Sequence, residues 1–517
     1  MNVRDIENLQ RRFAKKAENK AFFKKDKLLA TYRSLLAQKI ISKNKTLERL
    51  LMLKQVRSLS GIVVVSILCK PYPCPGKCIY CPTKSGVPKS YDPNEPAVAR
   101  AIICNYDPYI QVQNRLTALK NIGHPIDKIN IRIIGGTWSF YPKNYQTWFI
   151  KKIYQAVNEF GTKRKNIRTH ERMNNSLERL QQKNERAKYR IVEISIETRQ
   201  DFINEKEIKR LRSFGVTKIE LGVQSLYDDV LKLNKRGHDI KTTIKATKVI
   251  RDAGFKVACQ MMGNLPGSNL SHDKEMFKKL FDDSNFRPDY LKIYPLALIK
   301  NTGAYKLYQN KKFRPYTRAE LLNLIRSAKE IVPYYTRIER VIRDIPTDSI
   351  VEGGSKITNL RQILKQKGTK CRCIRCREIK EQKRGKYQLF IEEYEANEGK
   401  EYFLSFENKS RTKLYSILRL RIPSQFFADK NHFISVLNKA AIIREIHTYG
   451  RQIQISKSDK EASQHHGLGR KLIKEAENIA KNFGLKKIAV ISGVGVRDYF
   501  RKLNFKLRDN YMVKKLN

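Results

Sequence analysis

Gly61-Ile-Val-Val-Val-Ser-Ile-Leu68, followed closely by Cys74-Pro-Gly-Lys-Cys78-Ile-Tyr-Cys81, is the stretch from which the rest of this chain is read. The first half is a β-branched apolar run of the length of a buried strand. The second is a loop with cysteines spaced Cys-x3-Cys-x2-Cys. Three thiolates that close together can hold three irons of a 4Fe–4S cluster. Such clusters ordinarily take four cysteines, so the fourth iron is left open to bind and reduce something. The alternative is a structural zinc loop, but Zn2+ takes four ligands and no fourth is near in the sequence. Cys69 falls outside the spacing and reads as a buried or idle thiol.

Downstream, apolar runs at 129–134, 191–196, 218–223, 256–262 and 290–294 repeat the pattern of 62–68. Segments with helical apolar spacing lie between them, such as 109–122 and 242–253. Strand–helix repeats of this kind predict a parallel sheet with right-handed crossovers, closed partly or fully into a barrel. Ligands of such folds sit at the C-terminal strand ends. There the sequence places Gly135-Gly136-Thr137, Glu197-Thr-Arg199, Gly222-Val-Gln-Ser225 and Gly263-Asn-Leu-Pro-Gly267. Each alone is a turn signal. Behind a three-cysteine loop they together resemble the radical S-adenosylmethionine (SAM) enzymes, whose open iron chelates SAM. On that resemblance Gly135, Gly136 and Thr137 take the amino-acid end of SAM, and Glu197 and Gln224 its ribose or carboxylate.

The text changes at 341–388, where Cys371-Arg-Cys373-Ile-Arg-Cys376 carries a second metal-like spacing. A closed structural Zn2+ site is expected, its fourth ligand coming from elsewhere; three unligated thiols are the bland reading. From 389 to 517 the residue types change again. Segments 387–394, 402–406, 414–421 and 440–447 read as strands. Gln464-His-His-Gly467-Leu-Gly469-Arg-Lys471 then runs into an amphipathic helix at 472–483. Free N–H groups and the positive helix end there suit a pyrophosphate, and the spacing resembles the acyl-CoA loop of GNAT acetyltransferases. A dinucleotide fold would need a ribose-binding acid that this segment lacks.

At 517 residues the chain should hold two or three domains, and its 41% hydrophobic fraction excludes wholesale disorder. Lys and Arg total 105 against 50 Asp and Glu, a net +55. Such an excess points to a polyanionic partner, nucleic acid first, although a genome-wide lysine bias gives the same sign. The charge is clustered. Residues 1–60 hold 16 Lys/Arg against 5 Asp/Glu, and a second basic stretch begins at Lys163-Arg-Lys-Asn-Ile-Arg168 and runs to Arg190. Both read as phosphate-contacting surfaces or as solvated helix faces. Nine cysteines, mostly in two groups, suit metal sites in a reducing compartment. With no signal-peptide pattern and no apolar run of membrane length, a cytoplasmic protein without a membrane partner is expected.

Several further motifs fall in order: Lys70-Pro-Tyr-Pro-Cys-Pro, Ser90-Tyr91 with Glu95-Pro96, Gly123-His-Pro-Ile-Asp-Lys128, Glu220-Leu-Gly-Val-Gln-Ser225, Arg343-Asp-Ile-Pro346, Arg444-Glu-Ile-His-Thr-Tyr-Gly450 and Val490-Ile-Ser-Gly-Val-Gly-Val-Arg497. From about residue 60 onward they resemble the catalytic (third) subunit of Elongator and the stand-alone archaeal and bacterial enzymes of that family. The resemblance implies an α/β chain: a basic tRNA-binding extension (1–60), a radical SAM partial barrel (61–340), a zinc linker (341–388) and a GNAT-like acetyl-CoA domain (389–517). It implies that Cys74, Cys78 and Cys81 hold a 4Fe–4S cluster and that a SAM-derived radical activates the methyl of acetyl-CoA. That carbon would add to carbon-5 of the tRNA wobble uridine, and thioester hydrolysis would leave 5-carboxymethyluridine.

Carried over by position, Lys128 and Tyr499 are the catalytic candidates. Lys128 reaches acetyl-CoA from the barrel side. Glu445, Ile446, His447 and Thr448 line its pantetheine arm, Leu468, Gly469 and Arg470 bind its pyrophosphate, and Tyr499 and Phe500 lie near the thioester. Cys371, Cys373 and Cys376 resemble the zinc ligands of the archaeal and bacterial members, which favours a stand-alone enzyme; a homodimer and the identity of the electron donor stay open. Phe500 stands where the family usually has a second tyrosine, and Gln260 and Gly263 replace a His and a Pro. The alternatives are a protein lysine acetyltransferase and a tRNA-binding homologue with weakened catalysis.

Overall fold

The computed structural model of the chain describes residues 8, 25–53, 58, 60–162, 176–357, 359–380, 385–450 and 467–517. Residues 1–7, 9–24 and 163–175 of the two basic stretches, and Gln464, His465 and His466 of the glycine-rich loop, lie outside the described residues.

Seven parallel strands form the first sheet in sequential order: Val63–Leu68 (β1), Lys128–Ile134 (β2), Arg190–Thr198 (β3), Lys218–Gln224 (β4), Lys256–Met261 (β5), Tyr290–Ile293 (β6) and Arg337–Arg340 (β7). Each neighbouring pair is parallel, so every connection crosses over, mostly through helices such as Pro108–Asn121, Lys143–Glu159 and Ile240–Asp252. The caps set where these helices start. Asp107 accepts the Ile110 N–H at 3.0 Å, and Thr317 with Glu320 closes a capping box at the head of Arg318–Ile331. The unclosed sheet is the partial barrel expected of the sequence, with a seventh strand added.

The second sheet joins Gln388–Ala396 (β8), Gly399–Glu407 (β9), Leu414–Ile422 (β10), Ala441–Thr448 (β11), Lys487–Val490 (β12), Lys506–Arg508 (β13) and Tyr511–Lys515 (β14) in the order β13-β14-β12-β11-β10-β9-β8. Within it only β11 and β12 run parallel, which is what the intervening helix Leu468–Asn482 requires.

One apolar core crosses from one sheet to the other: Ile442, Ala489, Ile491, Val494 and Tyr511 belong to the same buried cluster as Ile219 and Val257. Around it lies a set of buried ion pairs at the N-terminal strand ends. Asp289 takes Arg444 at 2.6 Å and has Arg419 at 3.4 Å, while Asp252 takes Arg421 at 2.7 Å and the Ser424 hydroxyl. Glu401 takes Arg421 and Arg444 at 2.9 and 3.0 Å. All these groups are essentially unexposed. Buried charges persist only when paired and hydrogen-bonded, so the second domain is seated firmly on the base of the barrel. Among the described residues no helix is long and apolar enough to cross a membrane.

Candidate active site

A cavity of about 1220 Å³ runs through the barrel. At its top, beyond the C-terminal strand ends, it meets Cys74, Cys78 and Cys81; at its base it meets Glu445, His447 and Tyr449 from β11 and the segment after it. The inward positions of the strands are charged or polar: Glu193 and Glu197 on β3, Glu220 on β4, Gln260 on β5, Lys292 on β6 and Glu339 on β7. Period-two alternation places them all on one face.

The cysteine loop is shaped by close approach. A Cβ on Gly76 would stand 2.6 Å from Arg199 Nη1 and within 3.6 Å of the sulfurs of Cys74 and Cys78, so the loop folds closely over that guanidinium and a larger residue would displace it. Arg199 Nη1 is itself buried without a hydrogen-bond partner. On the other side Arg236 directs Nη1 at Cys78 Sγ, 3.6 Å away, and donates Nη2 to the Gly222 carbonyl. Hydrogen bonding from Cys81 outweighs burial and, with the Arg236 charge, brings the Cys78 thiol down to about 4, while Cys81 moves up. Three cysteines faced by two buried guanidiniums suit an anionic cluster, so the residues present fit a 4Fe–4S group.

Beside this loop Gly135 and Gly136 both adopt positive φ, 120° and 112°. A Cβ on Gly135 would press on the Cys69 amide at 3.0 Å, whereas one on Gly136 would point into open space. Gln224 ends β4 at φ 73°, an uncommon conformation for a non-glycine residue and one that collects at ligand sites. Glu197 accepts from Tyr91 at 3.0 Å, Lys292 at 3.1 Å and Gln260 at 3.2 Å. Lys292 also pairs with Glu220, which Arg132 reaches at 3.3 Å. Arg343 lies over the Tyr91 ring at 4.6 Å and bonds Ser90 and Glu95. Gly136, Thr137, Glu197 and Gln224 thus line the same cavity as the three cysteines, with Gly135 behind them.

At the base, strand alternation divides the β11 candidates. Glu445 and His447 face the cavity: Glu445 pairs with Arg419 at 2.8 Å and accepts from Tyr290, and His447 Nε2 lies 2.6 Å from the Ser60 carbonyl. Burial works against charge on Glu445, yet the Arg419 and Lys256 cations hold its carboxyl at about 2. Ile446 and Thr448 belong to the other face. A Cβ on Gly469 would meet Tyr499 Oη at 2.8 Å and Ile446 at 3.4 Å, so Ile446, Gly469 and Tyr499 converge at the start of the helix Leu468–Asn482. Arg470 is close enough that its charge acts on the Tyr499 hydroxyl. Leu468 is buried beneath, and Phe500 is 1% exposed, in the domain core against Phe505. Lys128 opens β2 opposite Arg190, near the base and outside the cavity lining; burial lowers its ammonium.

Cys371, Cys373 and Cys376 have their sulfurs all within 4.8 Å of one another, the only such group of three metal-ligating side chains among the described residues. Four sulfurs tetrahedral about Zn2+ at 2.3 Å would stand about 3.8 Å apart, so the triad fits one ion. Arg361 and Lys329 lie 3.9 and 4.0 Å from Cys376 Sγ, and Cys371 and Cys376 face the cavity.

Arg132, Arg199, Arg236, Lys292 and Arg343 escaped sequence reasoning as site residues. For Arg132 on β2 and Lys292 on β6 the available signal was a charge within an otherwise apolar strand, where a barrel interior is ordinarily apolar; Arg199, Arg236 and Arg343 lie outside the strands and carried no such signal.

The Radical SAM superfamily matches residues 72–280 and the Radical_SAM C-terminal domain residues 288–369. The "tRNA uridine(34) acetyltransferase" of Methanocaldococcus infernus is 43% identical over 483 residues, covering 90% of this chain and 87% of the relative. That of Dehalococcoides mccartyi is 42% identical over 474 residues, 90% of this chain and 100% of the relative. The solved structure of archaeal Methanocaldococcus infernus Elp3 with an N-terminal deletion superposes with a TM-score of 0.74 at 39% identity, covering 89% of this chain and all of that one. Human "Elongator complex protein 3" is 36% identical over 488 residues, 90% of this chain and 86% of the relative. Identity of 36–43% over nine-tenths of the chain shows that it belongs to the tRNA uridine(34) acetyltransferase and Elongator complex protein 3 family.

Proposed function

We propose that this chain modifies the wobble uridine of tRNA by SAM-dependent radical chemistry, drawing the added carbons from acetyl-CoA to give a 5-carboxymethyl group. One observation carries the reading: a single cavity joins the three-cysteine loop to the β11 face of the second domain. Ile446, Gly469 and Tyr499 gather on the opposite face of the same strand, so β11 stands between the two cofactor sites.

Cys74, Cys78 and Cys81 hold the cluster, which when bound supplies the electron that opens SAM to radical chemistry. Arg199 and Arg236 offset its negative charge. Gly136 leaves room for the SAM backbone, and Glu197, fixed by Tyr91, Lys292 and Gln260, orients a hydroxyl or ammonium. Gln260 here supplies a donor to Glu197, so the family's usual histidine is replaced by another hydrogen-bonding group. Leu468, Gly469 and Arg470 present backbone N–H groups and a cation to the CoA pyrophosphate. Tyr499, over Gly469, lies near the acyl end, and Lys128 approaches from the barrel base. Phe500 supports Tyr499 from the core, and Cys371, Cys373 and Cys376 hold a structural Zn2+. The exposed cations of the chain take the tRNA backbone, which suits an enzyme acting without a scaffold complex.

The deciding experiment is anaerobic incubation of reconstituted protein with tRNA, SAM, dithionite and acetyl-CoA labelled in its methyl, followed by nucleoside mass spectrometry. Label in a carboxymethylated uridine is expected. Labelled acetate with unmodified tRNA, despite an intact cluster and bound tRNA, would overturn the reading.

A further inference from the structure

Beside the cluster loop, on the outside of the barrel, six aromatic rings form a continuous ladder. Trp148 packs on Tyr145 at 5.6 Å, Tyr145 on Tyr141 at 5.2 Å, Tyr141 on Tyr72 at 5.0 Å, Tyr72 on Phe140 at 5.9 Å and Phe140 on Phe202 at 5.5 Å. Phe140 and Trp148 remain 36% and 39% exposed. None of the six lines the cavity.

The ladder is anchored to the cluster loop at two points. Tyr72 is two residues, about 7 Å of extended chain, from Cys74, the exposed ligand of the three. Phe202 follows Arg199 and Asp201, which hold each other at 2.8 Å against Gly76. Two of the segments that build it carry only positive charge. The segments 70–77 and 140–152 carry Lys70, Lys77, Lys143, Lys151 and Lys152 and not one acid. Of the acids next to Phe202, Asp201 is paired with Arg199 and Glu207 with Lys143 and Arg210, while Glu205 is exposed on the first turn of the following helix.

The geometry points to this face as the docking site of an acidic one-electron carrier protein that reduces the cluster, a partner whose need rests on the radical reading above. An electron requires proximity to Cys74 and no passage through the cavity, which is what this face offers. Electron-transfer encounters are small, apolar at the centre and steered by opposite charge. Nucleic acid fits less well, because bases stack on open ring faces and Tyr72, Tyr141 and Tyr145 already cover one another.

The test compares cluster reduction, followed as bleaching of its visible absorbance, by dithionite and by photoreduced flavodoxin as the acidic probe. The full-length parent is set against a Trp148→Ala/Lys151→Glu/Lys152→Glu variant and a milder Phe140→Ser variant. The expected result is a flavodoxin-driven rate at least tenfold lower in the triple variant and severalfold lower in Phe140→Ser, with dithionite rates within twofold of the parent. High salt should bring the parent down toward the triple variant. Equal losses with both reductants, no loss with either, a parent rate indifferent to salt, or a loss confined to tRNA binding would each overturn the assignment. Because cluster bleaching is read without any uridine product, failure of the proposed tRNA chemistry would show separately.

Discussion

The chain has two groups of three cysteines, and their surroundings separate them more than their spacing does. Cys371, Cys373 and Cys376 bring their sulfurs together within 4.8 Å, close enough to share one ion. Cys74, Cys78 and Cys81 are arranged around Gly76, with buried guanidiniums on two sides and a large cavity in front. Both triads border the cavity, but the first is drawn together tightly enough to fit a single ion. The second keeps one side free for a ligand. Metal sites built for stability and for reaction differ in what is left open.

Substitution should break this contrast cleanly. Cys78→Ser is expected to reduce label transfer to background while the melting temperature stays near that of the apo parent, as read by calorimetry. Cys373→Ser is expected to do the reverse: a melting temperature lower by roughly 5–10 °C, from loss of a structural metal, with SAM cleavage by the surviving fold still measurable. Loss of all chemistry in Cys373→Ser at an unchanged melting temperature would erase the distinction.

The seat of the second domain offers the next largest effect. Asp289→Ala removes the carboxylate shared by buried Arg444 and Arg419, which keep only Glu401 and Glu445, and should cost about 3 kcal/mol in denaturant unfolding, the low end for a broken buried pair. Charge-removing Asp289→Asn should recover part of it.

At the SAM end the two adjacent glycines sharpen the comparison further. Gly135→Ala must force a Cβ against the Cys69 backbone in addition to adopting positive φ, so a loss of about 2–3 kcal/mol is expected. Gly136→Ala meets nothing and should cost only about 1 kcal/mol of conformational strain, yet weaken SAM binding measured by calorimetric titration. Equal affinity in Gly136→Ala would remove that residue from the pocket.

The smallest effect is acid sensitivity. Glu445, held at about 2 by Arg419 and Lys256, is depressed below its unfolded value. Its contribution is therefore fully present above about pH 4.5 and is lost as the pH falls toward 2. Glu445→Gln should lower stability near neutrality and flatten the acid limb of the unfolding curve between those values.

Much of this was legible in the sequence for a physical reason. β1 to β6 are apolar on the face that meets the helices, so their runs stand out. β7, Arg-Ile-Glu-Arg, escaped notice because it turns charge into the cavity and has a single buried apolar residue, Ile338. β12, β13 and β14 are three to five residues long, too short for periodicity to speak. The cysteine loops and the glycines after strands were readable because their chemistry is local. Arg199 and Arg236 were not, since a guanidinium 3.6 Å from Cys78 arrives from 158 residues away, and nothing in its own neighbourhood announces where it will point.

Gly493 sits where β12 hands the chain back to the barrel, and a Cβ there would lie 2.0 Å from the Val192 carbonyl oxygen. A single methyl group would therefore act as a wedge between the two catalytic halves. The closest approach of the two domains thus depends on there being no more than a hydrogen atom at that position.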